Sequence, residues 1–118
     1  MAKFGTNMKL TVAKRYRDQS LQVFTEALGA THKQLLNGFD MFLLEDGFNI
    51  GILFVDEGGM SPSDAKDNGV WLEFAVEDKA KTGAVLKTCG VEPFDYAGDA
   101  DNEYYLLPGG PVFRLSDA

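Results

Sequence analysis

At 118 residues the chain has the length of one ordinary domain, and its 45% hydrophobic, 12% aromatic and 25% charged residues exclude the disordered and fibrous classes. A formal net charge of -7, with basic residues that form no stripe, argues against nucleic acid as a partner. No apolar run approaches the roughly 20 residues of a membrane helix, no signal-type apolar region follows the first residues, and a lone cysteine, Cys89, excludes an internal disulfide. A cytoplasmic protein with no membrane and no nucleic acid as partner is the expectation.

Residues 8–13 alternate, with Met8, Leu10 and Val12 on one face and Lys9, Thr11 and Ala13 on the other, which predicts a half-buried strand. Asp18 can cap a helix over residues 18–28, in which Leu21, Phe24 and Leu28 recur at helical spacing and which Gly29 can stop. Three β-rich runs follow at 30–36, 39–45 and 48–55, divided by the hairpin dipeptides Asn37-Gly38 and Asp46-Gly47. Residues 57–69, rich in Gly, Ser, Pro and Asp and without periodicity, read as a linker.

The pattern then restarts. Residues 70–76 alternate again, placing Val70, Leu72, Phe74 and Val76 toward a helix and Trp71, Glu73 and Ala75 away from it. Asp78 can cap a second helix with Val85, Leu86 and Cys89 on one stripe and Gly90 at its end. Strand-like runs return at 91–97, 103–107 and 112–116, with Pro108-Gly109-Gly110-Pro111 as the last turn.

The order β, α, β, β, β therefore occurs twice, which predicts a single domain over 1–118 with modules at about 8–56 and 70–117. Leu10-Thr11-Val12-Ala13 aligns with Leu72-Glu73-Phe74-Ala75, and Leu28-Gly29 with Cys89-Gly90. One βαβββ unit leaves a sheet face bare once its helix has covered the other. An α+β fold follows, in which two curved mixed sheets form a cup with the helices outside.

With these elements in this order the chain resembles the vicinal oxygen chelate superfamily, which includes glyoxalase I, extradiol dioxygenases, fosfomycin-resistance proteins and bleomycin-resistance proteins. The resemblance spans residues 8–117. It rests on residues 18–29, similar to the family's first helix with its Leu-Gly end, on Leu72-Glu73-Phe74-Ala75-Val76-Glu77-Asp78, and on residues 107–115, similar to the family's last turn and strand. The turn departs from the family at Leu107, where an Asp is common. The resemblance implies a cup for a small organic molecule and, commonly, a homodimer.

Metalloenzymes of that family hold one divalent ion on residues from the first and last strands of each module. The matched positions are Lys9, Trp71 and Arg114, and the run 48–55 offers only Asn49 as an oxygen ligand. Lysine, arginine and tryptophan present N–H donors, whereas a cation needs imidazole nitrogen or carboxylate oxygen. No metal and no other cofactor are expected.

Trp71 and Glu73 project together, and an aromatic wall with one carboxylate suits a flat or cationic ligand. Equally, Trp71 can plug the space between modules while Glu73 pairs with Arg114 or Lys9. Lys9, Thr11 and Arg114 could instead hold an anionic group. Tyr105 is expected to stack on the ligand with Trp71. Asp95, Asp99, Asp101 and Glu103, with Tyr96, Tyr104 and Tyr105, form either a solvated tip or a negative rim that steers cations, to which Asp56 and Glu57 could add. His32 is expected at the surface and Cys89 in the core. The expected function is a metal-free small-molecule binding protein, with drug sequestration as one form. The alternatives are a metal-dependent lyase, isomerase or dioxygenase of the same superfamily, and an effector or interaction module with a vestigial pocket.

Overall fold

Alternating side chains near the start of each module build two mixed sheets, in each of which the first strand lies parallel to the last. The structure, a computed structural model, describes every residue except Gly59, Ala97 and Ala100, and all described side chains but that of Asn68. β1 (Asn7–Ala13) lies parallel to β4 (Asn49–Val55), which pairs with β3 (Phe39–Leu43), which pairs with β2 (Thr31–Leu36), in the order β1-β4-β3-β2. In the second sheet β5 (Trp71–Val76) lies parallel to β7 (Val112–Asp117), and β6 (Tyr104–Leu106) pairs antiparallel to β7, in the order β5-β7-β6. The chain turns at Asn37-Gly38 and Asp46-Gly47, where both glycines have positive φ.

The period of two decides what is buried. Val12, Ile50, Ile52 and Phe42 from the first sheet and Phe74, Phe113, Leu115 and Tyr105 from the second join Val23, Phe24, Leu86 and Cys89 of the helices in one apolar cluster. Lys9, Thr11, Trp71 and Glu73 alternate with these positions and stay exposed. Val70, expected against the helix, is exposed, because it precedes the first paired residue of β5.

The first helix is less regular than its spacing predicts. A 3-10 turn at Lys14–Tyr16 leads from β1 into α1 (Arg17–Gln22), and a π turn at Val23–Ala27 ends it, with the Leu28 N–H donating five residues back to Val23 at 3.1 Å. The Thr25 hydroxyl donates to the Leu21 carbonyl, a side-chain contact of the kind that disturbs helical ladders. Asp18 does not cap: the chain enters the helix earlier, Tyr16 is the N-cap without a side-chain bond, and Asp18 lies in the first turn, where its charge suits the helix dipole. In α3 (Lys79–Thr88) the expected cap forms, Asp78 accepting from the Lys81 N–H at 3.0 Å.

Two further expectations are corrected. The linker at 57–69 contains α2 (Pro62–Asn68), whose N-cap Ser61 accepts from the Asp64 N–H at 3.1 Å and whose first turn carries proline. Among its described side chains only Ala65 is buried, so no apolar stripe signals the helix. The strand at 91–97 reduces, among the described residues, to one bridge from Phe94 to Tyr104, Ala97 lying outside them. Pro93 removes a ladder donor just before that bridge.

The last turn closes on the first strand. Leu107 and Pro111 bond across it at 3.0 Å, and Gly109 has φ 80°. A Cβ on Gly109 would sit 2.5 Å from Cγ1 of Val12, so only glycine allows this approach. Among the described residues no helix is long and apolar enough to cross a membrane.

Candidate functional site

Strand register assembles a row of side chains on the face of the second sheet that points away from the core. Glu73 stands opposite Arg114, Arg114 opposite Tyr104, and Tyr104 is bridged to Phe94. Trp71 precedes Glu73 by two residues and shares its face. The Arg114 Nε donates to Oε1 of Glu73 at 2.7 Å and its Nη1 to the Tyr104 hydroxyl at 3.2 Å. The guanidinium carbon lies 4.5 Å from the centre of the Trp71 ring, a cation–π arrangement, and Trp71 remains 44% exposed.

Ring-to-ring contacts continue beyond this pair, through the buried Tyr104. Trp71 meets Tyr104 edge-on at 6.2 Å, Tyr104 lies 5.0 Å from Tyr96, and Tyr96 lies 5.9 Å from Phe94. Lys66, from α2, stands 4.2 Å over the Phe94 ring, so the segment expected to be a linker contributes a cation to one end of the row.

Asp99 ties the nearby loop to the same cluster. It accepts from Asn102 at 2.9 Å and from the Tyr104 hydroxyl at 2.8 Å, contacts that hold its carboxyl below the usual range. The bond to Asp99 raises the Tyr104 hydroxyl, and the bond to Glu73 keeps Arg114 still more firmly protonated. Two carboxylates, Glu73 and Asp99, thus stand around one guanidinium. Immediately around Arg114 the carboxylates outnumber the guanidinium, with the exposed indole of Trp71 beside them.

Of the side chains expected at the site, Trp71, Glu73 and Arg114 come together. Glu73 takes Arg114 as its partner, not Lys9, and Trp71 faces solvent instead of plugging the modules. Lys9 and Thr11 stay exposed on β1, and no side-chain hydrogen bond or ion pair joins them to the row among the described residues. Tyr105 is on the opposite face of its sheet from Trp71. It is 3% exposed, stacked on Phe113 at 5.2 Å, and donates to Glu103 at 2.8 Å; burial first, then this bond, push its hydroxyl up to about 12. Its neighbour Tyr104 occupies the position beside Trp71, as the period of two requires. In the acidic loop Asp99 folds inward, while Asp95, Asp101 and Glu103 are exposed.

Sequence reasoning missed one polar cluster. Asp40, fully buried, accepts two bonds from Arg17, and Nε2 of His32 lies 2.6 Å from its Oδ1. His32 is therefore a half-buried partner, not the surface residue expected. The available signal was a carboxylate set in the apolar run Phe39-Asp40-Met41-Phe42-Leu43. Cys89 is buried as expected, and burial pushes its thiol up, away from thiolate chemistry.

The donor set does not fit the divalent ion of metalloenzymes with this architecture. Among the described residues no three His, Cys, Asp or Glu side chains form a group able to hold a metal. The carboxylate in the row, Glu73, is already engaged by Arg114, whose permanent charge would repel a cation.

No sequence-family profile matches the chain, and neither does any curated protein. Solved structures do. A possible glyoxalase from Bacillus cereus aligns with TM-score 0.68 and 20% identity over 97% of this chain and 98% of that one. The fosfomycin resistance protein FosX from Mesorhizobium loti aligns with TM-score 0.72 and 11% identity over 100% and 94%. A mutant of FosX from Listeria monocytogenes, complexed with Mn(II) and a dihydroxypropylphosphonic acid, aligns with TM-score 0.68 and 18% identity over 98% and 90%. At these identities the likeness establishes the fold, and the fold is the one the resemblance implied: two mixed sheets and flanking helices of the glyoxalase, or vicinal oxygen chelate, type.

Proposed function

We propose that the chain binds a small organic molecule on the face formed by Trp71, Glu73, Arg114 and Tyr104, and that it does so without a bound metal. Arg114 carries this assignment. It lies over the Trp71 ring and is neutralised by Glu73, so the central position of the row is taken by a guanidinium instead of a metal ligand. What remains is an aromatic floor edged by the carboxylates of Glu73 and Asp99, which favours a flat molecule with positive charge.

Lys9 and Thr11 form the far wall in this proposal. The first sheet exposes Leu35, Leu36 and Leu43, and a second copy of the chain covers them, making the working form a homodimer. The fosfomycin resistance proteins that share the fold make drug sequestration a natural role. The rival reading, a metal-dependent lyase, isomerase or dioxygenase, draws its support from the Mn(II)-bound Listeria structure.

Trp71 is the only tryptophan and reports directly on the site. Titration with the flat cationic dye proflavine should quench its emission saturably, whereas naphthalene sulfonate at equal concentration should not. An equal response to both dyes, or none to either, would remove the basis of the proposal.

A further inference from the structure

A recess lies on the other side of the same sheet from Trp71. Its volume is about 580 Å³, within the range of about 300–1,000 Å³ that small-molecule sites occupy. Two features of the sequence create it. Among the described residues the segment before β6 pairs with it through the Phe94 bridge alone, which leaves a gap beside that strand. Across the gap α3 presents Ala80, Gly83 and Ala84, too small to fill the space.

The floor is apolar, made by the Tyr105 ring and Leu115. The Tyr105 hydroxyl approaches the helix so closely that a Cβ on Gly83 would lie 3.1 Å from it, and it donates to Oε2 of Glu103 at 2.8 Å. A buried tyrosine thus fixes one oxygen of a carboxylate at the mid-point of the groove, and a carboxylate has further acceptor sites for a ligand. Lys79 and Lys87 border the groove, each four residues from Gly83, or about 6 Å along the helix axis. The far wall adds Glu92 and Asp101, so the two walls carry opposite charge over an apolar base.

We infer that this groove binds a small amphipathic zwitterion, its ammonium on Glu103, its apolar body over Tyr105 and Leu115, and its anionic end on Lys79 or Lys87. A plain cation meets the lysines and a plain anion meets the carboxylates; a zwitterion satisfies both walls. The site is independent of the Trp71 face, since Tyr104 and Tyr105 point to opposite sides of the sheet.

Three probes of equal length separate the possibilities: ε-aminocaproate, hexylamine and hexanoate, each titrated into the isotopically labelled protein while amide resonances are followed. ε-Aminocaproate should move the amides of α3 and of residues 101–105 saturably, with the other two weaker by about tenfold, the effect of losing one charge-assisted bond. Trp71 emission should stay constant throughout. E103Q should weaken ε-aminocaproate by a similar factor, and A84L should block it by filling the groove, each variant being used once its spectrum shows the native fold. Absence of saturable shifts in α3, equal binding of hexylamine or hexanoate, or full retention of affinity in E103Q would overturn the inference. Loss of the Trp71 proflavine response with these results intact would count against the other face alone.

Discussion

Arg17 meets both oxygens of Asp40, Nε to Oδ2 and Nη2 to Oδ1, each at 2.9 Å. His32 adds a contact at 2.6 Å, so one buried carboxylate fastens α1 to β3 and β2. A charge with no solvent is tolerable only when its partners remain. R17A strips the fully buried Asp40 charge of both guanidinium bonds. It should lower unfolding free energy by about 3–5 kcal/mol in urea denaturation. A loss under about 1 kcal/mol would show that the cluster is not holding the helix to the sheet.

Acid should probe the same group. Burial pushes the Asp40 carboxyl upward, but the bonds from Arg17 and His32 outweigh it and hold the group below its ordinary value. A carboxyl with a depressed folded pKa contributes stability that is present above the unfolded value of about 3.9 and is lost as pH falls toward the folded value. Thermal melts of the wild type below about pH 4 should therefore decline with pH more steeply than those of D40N. Parallel declines would mean that other carboxylates govern the acid limb.

Gly109 presses against Val12 with φ 80°, and both the backbone and the 2.5 Å approach forbid a side chain there. G109A should cost about 2 kcal/mol or more, from left-handed strain and overpacking together. V12A in the same chain should recover part of that loss by making room for the methyl group. A neutral G109A would mean that the last turn does not press on β1.

Glu73 supplies half of the negative charge around Arg114. E73Q should weaken proflavine binding by about two- to fivefold, the size of an exposed charge contribution, and should flatten its dependence on salt. Unchanged affinity and salt slope would place the dye elsewhere.

The doubled module was legible because the patterns that encode it are local: alternation in residues 8–13 and 70–76, the dipeptides at 37–38 and 46–47, and the Asp78 cap. Trp71, Glu73 and Arg114 were legible for the same reason, since alternation fixes the face of a strand residue. Partners at long separation were not. Nothing near Arg17 or His32 in the chain announces Asp40, and only the odd carboxylate in an apolar strand hinted at a buried pairing. The α2 helix escaped because a short polar helix carries caps and proline but no apolar stripe. Tyr105 was placed on the wrong face by one residue, the smallest slip that reverses a strand side chain.

Metal dependence of ligand binding separates the two readings of the Trp71 face most directly. Proflavine affinity should be measured after exhaustive chelation and again with added Mn(II) or Zn(II). The account predicts the same dissociation constant in all conditions. Binding lost on chelation and restored by a divalent ion would show that this face holds a metal after all.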